Sequence, residues 1–272
     1  MSHTQPDENS IMLWPDRPPQ SAAGDPFKPW LDFYPTTAAK SRGLIVVCPG
    51  GGYGGRAAHE GEPIARAFND MGLHAAVVLY RVSPNRHPAP LMDVARAIRI
   101  VRHNAARWMV DPGRIGVCGF SAGGHLAASI GVHYGLDTAG INDPIAKESC
   151  RPDALVLCYP VISGGAHRHH GSFVNLLGSD LSQEQIDLMW LEKHVTLDTP
   201  PAFLWHTADD AVVDVENSVQ FALALRQFKT PFELHIYPSG RHGLGLSKDD
   251  AHIASWITLC KGFFQNRGWL DK

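Results

Sequence analysis

The sequence predicts an α/β fold in which helices cover both faces of a mostly parallel central sheet. Short runs of consecutive apolar residues alternate along the chain with segments whose apolar residues recur at helical spacing. Because these runs are apolar at successive rather than alternate positions, they indicate strands that are buried on both faces, as parallel strands are. Residues 163–199 interrupt the alternation, which predicts a small insertion over the carboxyl edge of the sheet.

The N-terminal part of the chain begins with a weak pattern. Residues 1–30 are rich in proline, so we expect an irregular arm. Residues 30–35 predict an early strand, and residues 44–48 predict a second, more apolar one. We expect a helix over residues 62–71, because a glycine follows it directly, and a strand over residues 75–80.

The middle of the chain contains a strand that leads directly into a helix. Residues 91–108 carry aliphatic side chains on one helical face and predict a long helix. Residues 114–118 are short, apolar and typical of a strand. Residues 122–130 are rich in alanine and predict a helix. Only three residues separate this strand from this helix, so the chain must turn sharply between them.

The C-terminal part continues the alternation around the insertion. Strands are predicted at residues 154–159, 202–206 and 232–237, and helices at residues 217–228 and 250–266. The insertion itself becomes helical from Ser182, which is a suitable N-cap. We therefore expect residues 31–272 to form a single domain with residues 163–199 as its cap, and residues 1–30 to lie outside it.

The composition is that of a soluble globular protein. With 272 residues, of which 44% are hydrophobic and 19% charged, the chain can bury a sizeable core. A net charge of -3 gives no electrostatic basis for binding nucleic acid or an anionic membrane. The N-terminus lacks a signal-peptide pattern, and no apolar run reaches transmembrane length. Five cysteines without a CxxC motif indicate neither disulfides nor zinc, so we expect a cytoplasmic protein.

The sharp turn at residues 119–123 reads GFSAG and matches the nucleophile elbow G-x-S-x-G. In such an elbow a serine is held in strained geometry between a strand and a helix, with its hydroxyl exposed at the edge of the sheet. The small flanking residues prevent a clash between the strand and the helix. Ser121 is therefore the candidate nucleophile.

A serine nucleophile needs a base, and the base needs an acid that orients it. In sheets of this type the acid follows a late strand and the histidine follows the last one. His242 has this position in a glycine-flanked loop, although a solvated loop histidine is the alternative. Two adjacent carboxylates compete as the acid, and we favour Asp210, four residues after a strand-ending histidine, over Asp209. Asp214 lies beyond the loop and is a weaker candidate.

The glycine-rich loop after residues 44–48 predicts an oxyanion hole. Gly51 and Gly52 can turn their amides towards a substrate, and Ala122, which follows the nucleophile, supplies a further N–H donor. The same loop also matches the dinucleotide fingerprint G-x-G-x-x-G, which would need an acid at the end of the next strand. Arg81 is there instead. It fits a structural ion pair better, although it could accept the 2′-phosphate of NADP.

Two further groups of polar residues could have either a functional or a purely structural role. His167, His169 and His170 resemble a metal cluster, but without HExxH or an adjacent carboxylate we expect a solvated loop and no metal site. Glu60 and Glu62 follow the glycine loop, where they could line the pocket or stabilise the N-terminus of a helix.

Seven motifs that occur together and in order resemble those of a known group of enzymes. The motifs span roughly residues 30–270 and read PGGGY from Pro49, HEGEP from His59, YR from Tyr80, RHPAP from Arg86, GFSAGGH from Gly119, HTADD from His206 and GRHGL from Gly240. They resemble the α/β-hydrolase esterases of the acetyl-xylan-esterase and feruloyl-esterase-like group, which are related to the hormone-sensitive-lipase branch. Two departures are Pro49, where that branch has histidine, and Asp214, where relatives often carry proline.

The resemblance implies an α/β-hydrolase fold and the roles assigned above, with Ser121 as nucleophile, Asp210 as acid and His242 as base. It further implies hydrolysis of short acyl esters, acetyl above all, on xylo-oligosaccharides or other sugars. The resemblance implies no cofactor. The expected partner is a small-molecule ester, without nucleic acid or membrane, and self-association is left open.

Two other functions fit the same residues. An amidase or arylformamidase would use the same fold and triad on a different bond. A non-catalytic binding protein would tend to lose a triad residue, whereas all three candidates are present here.

Overall fold

The computed structural model describes residues 5–6, 10–37, 40–136 and 143–271. Within these residues, eight strands form one sheet in the order β1-β2-β4-β3-β5-β6-β7-β8. Their bounds are β1 Ser10–Met12, β2 Trp30–Tyr34, β3 Arg42–Cys48, β4 His74–Leu79, β5 Val110–Phe120, β6 Ala154–Cys158, β7 Ala202–Thr207 and β8 Phe232–Tyr237. β1 and β2 pair antiparallel, and β3 to β8 are parallel. The predicted mostly parallel sheet is confirmed.

Helices connect the parallel strands, and further helices follow β8. They are α1 Glu62–Met71, α2 Ala89–His103, α3 Ala105–Trp108, α4 Ala122–His133, α5 His170–Leu177, α6 Gln183–Leu188, α7 Glu216–Gln227, α8 Ala251–Ala254 and α9 Trp256–Asn266. In the described part of the chain, none of them combines the length and apolarity that crossing a membrane requires.

Two hydrophobic clusters lie on opposite faces of the sheet. On one face, Ile98 of α2, Leu126 of α4 and Phe221 of α7 pack against the strands. On the other face, Phe68 of α1 and Phe263 of α9 do so. Because successive strand residues point to opposite faces, a run that is apolar throughout supplies both clusters at once. The prediction that helices cover both faces is confirmed.

The prediction that residues 1–30 are irregular is wrong at one place. β1 extends the sheet, with Ile11 opposite Leu31 of β2. Leu13 and Trp14, which follow β1, are buried in the core. A strand of three residues is too short to show a periodic pattern, so only its partner strand reveals it.

Among the element boundaries that differ from expectation, two have a visible cause. The long helix predicted over residues 91–108 is divided into α2 and α3 at Asn104, whose side-chain amide donates to the Ile100 carbonyl at 2.8 Å. An asparagine that bonds its own backbone in this way competes with the helical hydrogen bonds. β5 begins at Val110 rather than at residue 114, because Val110 pairs with Arg42 of β3.

The insertion at residues 163–199 contains α5, α6 and a 3-10 helix at Leu191–His194. Ser182 caps α6 as expected, since its hydroxyl accepts from the Gln185 amide while the Gln185 side chain accepts from the Ser182 amide. Phe173 and Ile186 of the insertion belong to the same hydrophobic cluster as α2 and α4. The insertion therefore packs onto the body of the molecule.

Candidate active site

Ser121 lies on the turn between β5 and α4 with backbone angles of φ 53° and ψ -120°. The flanking glycines make this turn possible. A Cβ atom on Gly119 would lie 2.0 Å from the Gly123 carbonyl oxygen, and one on Gly123 would lie 2.1 Å from the Cys48 carbonyl oxygen. No side chain fits at either position, so the sequence G-x-S-x-G is a steric requirement of this turn.

The structure brings the three predicted triad residues together. His242 Nε2 lies 2.8 Å from Ser121 Oγ, and His242 Nδ1 lies 2.6 Å from Asp210 Oδ2. Since an ionised carboxylate can only accept, Nδ1 carries a proton and donates to Asp210. Nε2 is then the acceptor for the Ser121 hydroxyl. The arrangement can transfer the serine proton to the imidazole as the serine attacks.

The environment of Asp210 keeps this carboxylate ionised. Burial acts to raise its pKa, but hydrogen bonding from His206 and His242 and from the amides of Val213 and Val212 outweighs burial, so the pKa lies well below its usual range. The Val212 amide donates to Oδ1 at 2.9 Å and the Val213 amide at 3.0 Å, and His206 Nε2 lies 3.5 Å from Oδ2. Asp210 is thus a negative charge directed at the imidazole.

The two competing carboxylates have other partners. Asp209 accepts from the Ser239 hydroxyl at 2.6 Å and from the Gly240 amide at 2.7 Å, so it holds the loop that carries His242. Asp214 lies 2.9 Å from His167. The contact with His242 belongs to Asp210, as expected.

The glycine loop after β3 lies beside the elbow. Gly51 has φ +133° and Gly52 has φ +63°, and a Cβ atom on Gly51 would lie 2.4 Å from the Gly55 carbonyl oxygen. Among the described residues, the amides of Gly51, Gly52 and Ala122 donate to no backbone carbonyl. They therefore remain available to an oxyanion, although the role itself stays a prediction.

Contacts from three elements hold this loop in place. The Gly50 amide donates to Glu60 at 2.8 Å, and Asn175 of α5 donates to the Gly52 carbonyl at 2.9 Å. The Tyr80 hydroxyl donates to the Pro49 carbonyl at 2.5 Å. The cap thus contributes directly to the conformation of the loop.

The structure distinguishes the two glutamates that follow the loop. Glu60 is buried and bonded to the loop backbone. Glu62 is exposed at the start of α1, and it pairs with Arg66 at 3.3 Å. Only Glu60 is therefore part of the site.

The tertiary structure brings carboxylates to the histidine loop that are not adjacent to it in sequence. His167 Nδ1 lies 2.9 Å from Asp214 and 3.9 Å from Glu216. Asp214 is 47 residues away from His167 in sequence, so the local sequence could not reveal this contact. His169 instead caps α5, where it accepts from the Ser172 amide at 3.3 Å, and His170 is the first residue of that helix.

His169 also lies close to the triad. Burial lowers its pKa, and the positive charge that His242 can carry lowers it further. Its Nδ1 lies 2.8 Å from the Ser172 hydroxyl. A neutral His169 with Nδ1 as acceptor carries its proton on Nε2, so the cap presents a neutral imidazole near the catalytic groups.

The dinucleotide interpretation of the glycine loop does not fit the structure. Arg81, the residue that would accept a 2′-phosphate, is fully buried and pairs with Asp93 at 2.8 Å. It is the structural ion pair that we expected. A 3-10 turn at Ala58–Glu60 separates the loop from α1, so α1 does not begin directly at the glycines as the helix of the dinucleotide fingerprint does.

Sequence reasoning missed two residues that organise the site. Asn217 is buried at the start of α7, where it accepts from the amides of Ile162 and Ser163 and donates to the carbonyls of His167 and Asp214. Tyr159 follows β6 and packs edge-on against the ring of His242. An asparagine near a helix N-terminus and a tyrosine after a strand are both common, so neither carried a usable signal.

Comparisons with known proteins identify the family of this chain. The BD-FAE family model matches residues 31–225. The chain is 39% identical over 242 residues to endo-1,4-beta-xylanase B of Butyrivibrio fibrisolvens, covering 88% of this chain and 38% of that one. It is 34% identical over 236 residues to an acetylxylan esterase of Xylanibacter ruminicola, covering 83% and 45%. The chain thus spans less than half the length of either curated relative.

A solved structure is similar over its full length. The acetyl ester-xyloside bifunctional hydrolase from Caldicellulosiruptor lactoaceticus superposes with a TM-score of 0.93 at 45% identity, covering 99% of this chain and 100% of that one. The family match, the elbow and the strand order agree with one another. The chain therefore belongs to the BD-FAE family and has the α/β-hydrolase fold.

Proposed function

We propose that this protein is a serine carboxylesterase that removes short acyl groups, acetyl above all, from xylo-oligosaccharides or related sugars. The observation that carries the proposal is the continuous hydrogen-bonded series from Ser121 through His242 to Asp210, with distances of 2.8 and 2.6 Å. An acyl ester is the substrate class that such a series attacks most readily.

The geometry supports a two-step reaction. His242 Nε2 accepts the proton of the Ser121 hydroxyl while Ser121 Oγ attacks the ester carbonyl carbon. The amides of Gly51, Gly52 and Ala122 bind the negative oxygen of the tetrahedral intermediate. As the intermediate collapses, His242 returns the proton to the leaving alcohol oxygen, and the acyl group stays on Ser121. Water then attacks the acyl-enzyme while His242 accepts its proton. His242 returns this proton to Ser121 Oγ as the carboxylic acid leaves.

The proposed substrate rests on the relatives. One is an acetylxylan esterase, and the structural relative is an acetyl ester-xyloside hydrolase. The site lies at the carboxyl ends of the parallel strands, where 8% of the surface of Ser121 is exposed.

The first test compares p-nitrophenyl acetate, butyrate and octanoate as substrates for the wild type and for Ser121→Ala. We expect the wild type to prefer acetate strongly and the variant to lose at least about 10⁴-fold in kcat, because no other group supplies the nucleophile. Circular dichroism checks that the variant is folded. Equal activity in both proteins would refute the assignment of the nucleophile.

Natural substrates need a second comparison. Acetylated xylo-oligosaccharides should release acetate with the wild type but not with Ser121→Ala. The matched anilide, 4-nitroacetanilide, separates an esterase from an amidase. If the anilide is cleaved faster than the ester, the amidase interpretation replaces the esterase one.

We also propose that the protein acts in the cytoplasm. All five cysteines are buried free thiols, which is the state that a reducing compartment maintains. Fractionation of the producing cells, followed by immunodetection, tests this proposal. Recovery of the protein from the culture medium would contradict it.

A further inference from the structure

Glu60 is a buried carboxylate whose two oxygens reach two different loops of the site. It lies in the 3-10 turn at Ala58–Glu60, and only 2% of its surface is exposed. Its Oε2 accepts from the Gly50 amide at 2.8 Å, and its Oε1 accepts from the Tyr159 hydroxyl at 2.7 Å. Burying a carboxylate costs free energy, so two hydrogen bonds to a buried Glu60 suggest that it has a specific role.

One oxygen acts on the loop that carries the oxyanion donors. Gly50 directly precedes Gly51 and Gly52. A Cβ atom on Gly50 would lie 2.7 Å from Glu60 Oε2 and 3.1 Å from Ser121 Cβ, so this peptide is enclosed between the carboxylate and the nucleophile. A shift of Glu60 would therefore move the donors relative to the serine.

The other oxygen acts on the loop that carries the base. The Tyr159 hydroxyl donates to Glu60 and accepts from the Gly245 amide at 2.8 Å. The Tyr159 ring packs against the His242 ring with centroids 5.0 Å apart and planes at 68°. The neighbouring His59 contributes a second contact, since its Nε2 lies 2.9 Å from the Gly243 carbonyl oxygen.

We propose that Glu60 is a positioning residue that sets the oxyanion donors and the base relative to one another. The proposal rests on the proposed esterase function. A charged acceptor forms stronger hydrogen bonds than a neutral one, so the carboxylate holds both the Gly50 amide and the Tyr159 hydroxyl firmly. Catalysis requires the donors and the imidazole in the correct place at the same moment, and a misplacement of about 1 Å can cost about 100-fold in rate.

The Tyr159 hydroxyl suits this role because it stays protonated. Burial raises its pKa well above the usual range, and the charge of Glu60 raises it further. Tyr159 therefore remains a donor to Glu60 at neutral pH.

The test uses Glu60→Gln and Tyr159→Phe, with Glu62→Gln as the matched control. Glu60→Gln keeps the size of the side chain but removes the charge from both links. Tyr159→Phe removes only the hydroxyl, so it breaks the link to Gly245 and leaves the link to Gly50. Glu62→Gln makes the same chemical change two residues away on an exposed side chain that pairs only with Arg66 among the described residues.

We measure kcat, KM and the pH dependence of kcat for p-nitrophenyl acetate, together with the melting temperature. Glu60→Gln should lower kcat by about 10- to 100-fold and change KM by less than about threefold, because alignment rather than binding is lost. Tyr159→Phe should lower kcat less, by about 10-fold, and displace the pH profile, because it alters the surroundings of His242. Glu62→Gln should match the wild type in all parameters.

The proposal is overturned if folded Glu60→Gln keeps the wild-type kcat, or if its activity falls only in proportion to the folded fraction. If Glu60→Gln does not fold, Tyr159→Phe decides: an unchanged kcat and pH profile overturns the proposal. Ser121→Ala, assayed alongside, separates this outcome from failure of the esterase function. A wild type that is no more active than Ser121→Ala refutes the function itself.

Discussion

Asp209 and Asp210 carry the same functional group at adjacent positions, yet their surroundings give them different roles. Asp210 is buried and receives hydrogen bonds from two backbone amides and from His242. Asp209 is exposed and bonds the loop around Gly240. Since both follow the same strand, the direction of each side chain relative to β7 decides which one reaches the imidazole.

Replacing each carboxylate by its amide tests this difference. Asp210→Asn should lower kcat by about 10⁴-fold, because an amide no longer selects the imidazole tautomer that accepts the serine proton. Asp209→Asn should keep kcat within about 10-fold of the wild type, since it only loosens the loop. Steady-state kinetics on p-nitrophenyl acetate measures both. A larger loss in Asp209→Asn would mean that the acid is assigned to the wrong residue.

We expect His125 of α4 to make the stability of the protein depend on pH. Its Nδ1 lies 2.9 Å from the Tyr53 hydroxyl and its Nε2 lies 3.1 Å from the Met189 carbonyl oxygen, an environment that fits a neutral ring. Burial lowers its pKa to about 4. In the unfolded chain the pKa returns to about 6.5, so below that pH the unfolded state binds the proton first.

The stability that neutral His125 contributes is therefore complete above pH of about 6.5, and it decreases as the pH falls towards 4. Urea unfolding between pH 7 and 4.5 measures this slope. The slope of the unfolding free energy against pH reports how many more protons the unfolded state binds. His125→Gln should reduce this number by up to about one, because the variant lacks the titrating group. An unchanged slope in the variant would show that His125 does not titrate between the two states.

At the scale of elements, the N-terminus of α4 is packed against the end of β3 so closely that Gly123 cannot be replaced. Gly123→Ala would place a Cβ atom 2.1 Å from the Cys48 carbonyl oxygen and 2.5 Å from the Pro49 carbonyl oxygen. Backbone atoms cannot move aside as a flexible side chain can. The close approach of α4 to the glycine loop is what brings the Ala122 amide near Gly51 and Gly52.

Two glycine-to-alanine changes in different helices should have opposite effects on stability. Gly123→Ala should destabilise the protein by about 3 kcal/mol or more and abolish esterase activity, because the helix is displaced. Gly262 in α9 has no neighbouring atom within 4 Å of its added Cβ. Gly262→Ala should therefore stabilise the protein by about 0.5–1 kcal/mol through its helix propensity. Urea denaturation compares the two, and equal effects would contradict the packing argument.

At the scale of the whole molecule, the N-terminal segment is joined to the core through a buried ion pair. The Trp14 indole N–H donates to Asp93 at 2.8 Å, and Asp93 pairs with Arg81. Burial raises the pKa of Asp93 even though Arg81 lies beside it. Each hydrogen bond to this carboxylate therefore helps to stabilise its charged form. The N-terminal segment thus supplies a hydrogen bond to a buried carboxylate of α2.

Trp14→Phe tests this connection without removing the ring. The loss of one hydrogen bond to a buried charge should lower the free energy of unfolding by about 1–3 kcal/mol. Trp108→Phe is the control, since Trp108 stacks on Phe33 with ring centroids 4.8 Å apart and a smaller ring can keep that contact. Equal losses in both variants would mean that the ring, rather than its N–H group, stabilises the segment.

The sequence by itself determined the order of strands and helices, the elbow at Ser121 and the candidates His242 and Asp210. These features depend on local signals: continuous apolar runs, glycines that a sharp turn requires, and polar residues that directly follow a strand. Such signals survive without knowledge of the rest of the chain. The same reasoning fails for β1, which is too short to carry a pattern of its own.

Only the tertiary structure decided which polar residues act together. Glu60 meets Tyr159 across 99 positions of sequence, and Asn175 meets Gly52 across 123. His167 finds its carboxylate 47 residues away in Asp214. Parallel strands that are joined by helices bring distant strand ends to one edge of the sheet. A polar residue at such an edge acquires its partners only when the sheet forms, and no local pattern specifies which partners those are.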